Sequence, residues 1–338
     1  MLESVSQPHV GVLGTGSYLP SGVVSNTDLA SNLGIDPDWI LERTGIRERR
    51  AASAEEATSD LAFHAASAAL ADAKLAPGHI DLIIVATSTP DHPMPSTACL
   101  VQGRAGAENA AALDVDSACT GFVSALQLAR SMICTDQDVE HALVIGADAY
   151  SRILDYQDRS TSVLFGDGAG AVVLGPVSEG FGIRGSCMGA DGSLEGLVGV
   201  PAGGSRYPAS SETVRDGSHF FKMNGRGVRD FASEKFSGII KRTLDGTQVA
   251  LEDIDLVVPH QANIKMVRML AEESGIAADR VALTGEFTGN TAAASVAVAL
   301  DEAVRSGRVN HGSHVLLVAF GAGMTWGGTL IRWEGRAL

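Results

Sequence analysis

A cysteine, a histidine and an asparagine lie in three separate settings of small residues: Ala118-Cys119-Thr120-Gly121-Phe122, Pro259-His260-Gln261-Ala262-Asn263 and Thr288-Gly289-Asn290-Thr291. Gathered at one place, such a trio can form and hold an acyl thioester, with the thiol as nucleophile. Cys119 follows an apolar, strand-like run, Ala111–Val115, and precedes residues 121–128, whose apolar side chains recur at helical spacing. A thiol between strand and helix sits at the positive end of the helix dipole, which predicts a pKa below the ordinary ~8.5. His260 ends the apolar run 255–259, so its side chain is expected at the carboxyl edge of a sheet, where α/β proteins commonly place sites. Blander roles stay open for each residue. An isolated cysteine is usually a small buried hydrophobe, a lone histidine a structural hydrogen-bonder, and an asparagine between Gly289 and Thr291 serves equally well in a turn or a helix cap.

The elements that must carry these residues repeat. Residues 80–85 (Ile-Asp-Leu-Ile-Ile-Val) are echoed by 254–259 (Ile-Asp-Leu-Val-Val-Pro), Leu70 aligns with Leu244 and Leu126 with Leu300, all at an offset of 174, while 141–145 matches 314–318 at 173. Two similar halves follow, divided as 1–175 with the nucleophile and 176–338 with the histidine and asparagine. Each half alternates amphipathic helices with short Val/Ile/Leu-rich runs, the pattern of mostly parallel sheets covered on both faces. The run 292–300 (Ala-Ala-Ala-Ser-Val-Ala-Val-Ala-Leu) suits a helix buried on all sides, expected from about Thr291 to Val304, with its counterpart opened by Cys119.

Composition narrows the function. At 338 residues, 45% of them hydrophobic, the chain can bury a large core, and a net charge of −15 argues against a general nucleic-acid or membrane-surface binder. No run approaches the ~18 apolar residues of a membrane span, and the N-terminal Met1-Leu2-Glu3-Ser4-Val5 lacks the basic and apolar segments of a leader. The four cysteines form no CxxC pair, so a reducing cytoplasm is expected and Cys99, Cys134 and Cys187 read as structural. Gly14-Thr15-Gly16 lacks the third glycine of a dinucleotide loop, and residues 166–170 lack the ending of a phosphate loop; both read as tight turns.

The three motifs resemble those of the β-ketoacyl-acyl carrier protein synthases III, initiating condensing enzymes, and the likeness runs through nearly the whole chain. Further matching pieces, in family order, are residues 39–47 (Trp-Ile-Leu-Glu-Arg-Thr-Gly-Ile-Arg), Asp158-Arg159-Ser160, 165–170 (Phe-Gly-Asp-Gly-Ala-Gly) and 320–327 (Phe-Gly-Ala-Gly-Met-Thr-Trp-Gly). The resemblance implies an α/β thiolase fold, two pseudo-repeated halves around buried central helices, in a homodimer. It implies acyl transfer from an acyl-CoA to Cys119 and decarboxylative condensation with a malonyl thioester. His260 and Asn290 would hold the enolate, and the backbone N–H groups of Cys119 and Ala322 the later oxyanion. It also implies coenzyme A contacts at Trp39, Arg43 and Arg159, a pantetheine contact at Asn263, and a switching role for Phe165, which reads equally as a core aromatic. Coenzyme A thioesters enter as substrates, with no further cofactor and no metal.

Two departures from the family pattern bear on specificity. Met324 and Met94 stand where relatives often carry aromatic residues, Met94 at the position that reaches the partner subunit's acyl pocket, so a primer longer or more branched than acetyl is expected. Lys265, Arg268, Arg226 and Arg229 fit a basic face for acyl carrier protein, whereas Asp230, Glu272 and Glu273 reverse its charge locally. A specialised ketosynthase priming a secondary metabolite is therefore an alternative. A cysteine hydrolase or a catalytically silent dimer partner are alternatives of another class.

Overall fold

The computed structural model describes residues 8–335; the N-terminal segment Met1-Leu2-Glu3-Ser4-Val5, read above for a leader, lies outside the described residues. The first sheet contains β1 (Val10–Tyr18), β2 (Leu82–Ala86), β3 (Ala111–Val115), β4 (Ala142–Ala149) and β5 (Asp167–Pro176), in the order β1-β5-β4-β2-β3. The second contains β6 (Gly182–Ala190), β7 (Leu256–Pro259), β8 (His314–Gly321) and β9 (Thr325–Arg332), in the order β6-β9-β8-β7. The directions also repeat. β1/β5 and β5/β4 are antiparallel and β4/β2 parallel, as β6/β9 and β9/β8 are antiparallel and β8/β7 parallel. Where β3 pairs in the first half, the second has an isolated parallel bridge from Val257 to Val281.

The helices that position the site are α1 (Pro37–Thr44), α2 (Thr58–Ala73), α3 (Gly121–Thr135), α4 (Gly225–Leu244), α5 (Ile264–Glu273) and α6 (Ala294–Arg305). Between the two sheets run α3 and α6. Phe122 and Leu126 of the first and Val296 and Leu300 of the second join Val144, Val172 and Leu317 in one core. α2 covers the outer face of the first sheet, and α4 and α5 cover the outer face of the second. β2, β4, β7 and β8 are thus buried on both faces, which explains their near-continuous hydrophobic runs in the sequence. Asp301, buried on α6, accepts hydrogen bonds from Thr15 Oγ1 (2.7 Å) and Ser17 Oγ (2.6 Å) on β1, tying the halves together. We keep 1–175 and 176–338 as the proposed division.

Three expectations about local structure are corrected. Gly14 and Gly16 lie within β1 rather than in a turn, because α2 presses on that strand: a Cβ on Gly16 would sit 2.3 Å from Ala69 N. Gly168 and Gly170 likewise lie within β5, where α6 makes the close approach and a Cβ on Gly170 would meet Ala297 Cβ at 2.5 Å. The central helices start later than expected. Cys119 occupies a short 3₁₀ turn, Ala118–Thr120, before α3, and residues 291–293 turn before α6 begins at Ala294.

Candidate active site

Each candidate side chain is delivered by the end of an element. Cys119 comes from the turn between β3 and α3, His260 from the residue after β7, and Asn290 from the loop before α6. They meet at one cavity of about 450 Å³, which Trp39, Arg43, Arg159, Phe165, Asn263, Lys265, Arg229, Ala322 and Met324 also line. Among the residues singled out from the sequence, Met94, Arg226 and Arg268 are absent from this lining. Met94 is 82% exposed, so its side chain serves nothing within its own subunit's cavity.

The Cys119 turn is strained, with Ala118 at φ +45°, a conformation that costs a non-glycine residue of order 1–3 kcal/mol. Asp116 Oδ1 steadies it by accepting the Ala118 N–H at 3.0 Å. Among the described residues the N–H groups of Cys119 and Ala322 have no backbone acceptor, and that of Cys119 faces only its own Sγ, so both can serve an incoming oxygen. Gly321 is required here, because a Cβ would lie 2.8 Å from Cys119 N. The expected fall in the Cys119 pKa is corrected. Burial pushes the thiol up, and the nearby carboxylates Asp148 and Asp116 add to the rise, outweighing a helix end that starts two residues later. The resting group is therefore a thiol.

His260 is buried against the edge of Phe320, and its Nδ1 is 2.7 Å from Ser295 Oγ on α6. Burial lowers its pKa to about 3, leaving a neutral imidazole. Ser295 Oγ also lies 3.4 Å from the Gln261 N–H as an acceptor; when the serine donates its own proton to Nδ1, the imidazole proton is on Nε2 and is available as a donor. Asn290 combines both readings. Its Oδ1 accepts the Ala292 N–H at 2.8 Å, a turn role, and this fixes the amide so that Nδ2 remains as a donor. The Asn290 backbone pairs with the Phe165 strand-like segment, through Gly166 N to Asn290 O (3.0 Å) and Asn290 N to Leu164 O (2.8 Å). Asn263 caps α5, accepting from Met266 N at 3.0 Å, and donates to Arg43 O at 3.2 Å, which joins α1 to α5 at the mouth.

Phe165 stacks on Tyr150 (centroids 4.6 Å, 8°), and both meet Phe221 edge-on. One wall of the cavity is thus aromatic, while Met324 lines it from a different core cluster. At the mouth the Arg159 guanidinium lies 5.6 Å from the Trp39 ring centroid, leaving an exposed cation and an aromatic face together. Sequence reasoning missed Ser295, Tyr150 and Asp148. The first and last carried a signal, each being a lone polar residue inside an apolar run that forms a buried element.

Family models described as 3-Oxoacyl-[acyl-carrier-protein (ACP)] synthase III and its C-terminal part match residues 113–192 and 244–333. The Caldanaerobacter subterraneus protein called β-ketoacyl-[acyl-carrier-protein] synthase III is 47% identical over 96% of this chain and 98% of its own length. The crystal structure of 3-oxoacyl-[acyl-carrier-protein] synthase III from Aquifex aeolicus superposes with a TM-score of 0.88 at 40% identity, over 96% of this chain and 100% of that one. The priming β-ketosynthase of the R1128 polyketide pathway superposes with a TM-score of 0.90 at 33% identity, over 98% of each chain.

Proposed function

From the premise that the chain belongs to the β-ketoacyl-[acyl-carrier-protein] synthase III family, we propose how its own residues divide the work. The reaction is a decarboxylative condensation of an acyl primer with a malonyl thioester, giving a 3-oxoacyl thioester. The observation that carries the division is one cavity lined by Cys119, the neutral His260 and Asn290, with unspent backbone donors at Cys119 and Ala322.

In the first half-reaction Cys119 Sγ bonds to the primer carbonyl, the CoA sulfur–acyl bond breaks, and the thiol's proton ends on the departing CoA sulfur. With its pKa raised by burial, the thiol must give up its proton in the course of this exchange. Trp39, Arg43 and Arg159 would hold the nucleotide end of CoA and Asn263 its pantetheine. In the second, the malonyl C–CO₂ bond breaks and its electron pair moves to the thioester enolate. His260 Nε2–H and Asn290 Nδ2–H stabilise that growing charge more than the ground-state carbonyl. The carbanion attacks the acyl-Cys119 carbonyl, the oxyanion rests on the Cys119 and Ala322 N–H groups, and collapse expels the cysteine sulfur as a thiolate, which takes a proton from solvent to restore the thiol.

A hydrolase reading loses its support at one contact. In that chemistry an asparagine orients the histidine as a base, whereas here Ser295 holds His260 and Asn290 bonds Ala292. A specialised priming ketosynthase keeps its support from the wall of Tyr150, Phe165 and Phe221, which would select the primer by shape. Lys265 and Arg229 at the mouth, with exposed Arg268 and Arg226, would receive an acidic carrier; Asp230, Glu272 and Glu273 are exposed too and weaken that attraction.

Homodimerisation is supported by β3. Ala111 N–H bonds inward to Asp81 O, and Val115 O accepts the Thr87 N–H, so alternation turns the backbone groups of Ala112 and Asp114 to the sheet's outer edge, where no strand of the same chain pairs with them among the described residues. A second copy would cover it. Among the described residues no helix is long and apolar enough to cross a membrane. The test is intact-mass detection of acyl-Cys119 with a panel of acyl-CoAs, followed by malonyl-CoA and malonyl-carrier offered separately. Absence of any acyl adduct would contradict the proposal.

A further inference from the structure

Asp148 is a fully buried carboxylate that the reaction does not consume. It closes β4, and among the described residues it has no cationic partner. Every group around it donates. Oδ1 accepts from Ser88 N (2.9 Å), Thr89 Oγ1 (2.9 Å), Thr87 Oγ1 (3.2 Å) and Ser88 Oγ (3.2 Å), and Oδ2 accepts from Ala293 N (2.9 Å).

The internal repeat gives this contact a meaning. At the 174-residue offset Asp116, Ala118 and Cys119 correspond to Asn290, Ala292 and Ala293. The two turns are alike in detail. Ala118 and Ala292 have φ of +45° and +47°, and their N–H groups are held by Asp116 Oδ1 and Asn290 Oδ1 respectively. The next N–H in each turn differs in partner. That of Cys119 is unspent beside Gly321, whereas that of Ala293 is held by Asp148, and Gly321 and Asp148 themselves correspond at the 173-residue offset of β4 and β8. One half keeps an empty place for an oxyanion; the other fills the equivalent place with its own carboxylate.

We propose that Asp148 is a positioning residue for the decarboxylation step: its carboxylate acts as a built-in oxyanion that holds the strained Ala292–Ala293 turn, and so fixes the direction of the Asn290 donor. The inference rests on the assignment of Cys119 to acyl transfer and of Asn290 and His260 to the enolate. It goes beyond that assignment by making a buried anion outside the reacting set necessary to one half-reaction only.

The decisive variant is Asp148→Asn. An amide presents one acceptor oxygen to two backbone N–H groups on opposite sides, Ser88 and Ala293, so one goes unmet. Acylation of Cys119 should stay within about three-fold of wild type, while CO₂ release from the malonyl thioester falls about 10- to 100-fold. Alkylation of Cys119 by iodoacetamide should also move to lower pH, since a negative charge near the thiol is gone while Asp116, Tyr150 and His260 remain. A merely structural role would depress both half-reactions together. Equal losses, or undiminished CO₂ release, would overturn the inference. Should Asp148→Asn fail to fold, Thr87→Val removes one donor from the same carboxylate, and a several-fold loss confined to CO₂ release is expected; equal or absent loss again overturns it. Wild type is the control. If it neither acylates nor releases CO₂, the functional assignment falls and this inference with it, whereas a competent wild type with an unselective variant removes this inference alone.

Discussion

Cys119 is the residue proposed to carry the covalent chemistry, and burial beside Asp148 and Asp116 raises the pKa of its thiol. Cys119→Ala should form no acyl adduct by intact mass while keeping the wild-type unfolding transition, and Cys119→Ser should also fail, since a hydroxyl without a base is a far weaker nucleophile. His260→Ala and Asn290→Ala should still accept an acyl group but lose CO₂ release by ~10²–10³, the usual cost of one oxyanion donor. Ser295→Ala should act in the same direction and more weakly, because it removes only the group that sets the His260 tautomer. The pH dependence separates the titrating groups. His260, held near 3, is neutral throughout the working range, so it supplies no acid limb there. Asp148, pushed up to about 6 by burial, is active as the carboxylate, so CO₂ release should be full above that value and fall as pH drops through it. The Asp148→Asn variant should lack that limb, and its persistence would assign the limb to another group.

At the level of elements, close helix-on-strand approach is what sets the site's depth. Gly16→Ala places a methyl against the α2 backbone and Gly170→Ala places one against Ala297 of α6, so each should destabilise by about 1–3 kcal/mol in urea unfolding. Those glycines explain where the sequence was readable and where it was not. Apolar runs disclosed β2, β4, β7 and β8 and their repetition, because a strand covered on both faces must be hydrophobic throughout. Gly14-Thr15-Gly16 misled toward a turn, because glycine signals a bend and a close approach by the same letter. That Cys119, His260 and Asn290 share one cavity is what their motifs lead one to expect. Ser295 and Asp148 were not legible, since their roles depend on pairing elements far apart in the chain, α6 with the residue after β7 and β4 with the turn before α6. The thiol's pKa was misread for a related reason: a helix dipole is visible in sequence, while desolvation by the assembled cavity is not.

In the whole molecule, the two similar turns are the ones proposed to hold the nucleophile and Asn290, and the open edge of β3 is the surface proposed for pairing. Ala112→Pro removes an edge donor without touching the internal ladder, so sedimentation should show a shift from dimer toward monomer with the fold retained. Carrier-dependent turnover should decline with salt if the mouth steers an acidic partner, and lysine at positions 230, 272 and 273 should raise it through faster association. The central claim, one cavity performing acyl transfer at Cys119 and malonyl decarboxylation at His260 and Asn290, is tested most directly by a two-step mass measurement. An acyl-CoA is added first and the intact mass followed, then malonyl thioester labelled in its free carboxyl is supplied. The account predicts an adduct on Cys119 that disappears as labelled CO₂ and a 3-oxoacyl thioester form together in equal amounts. Discharge of the adduct to free acid, with the label still in malonyl thioester, would contradict it.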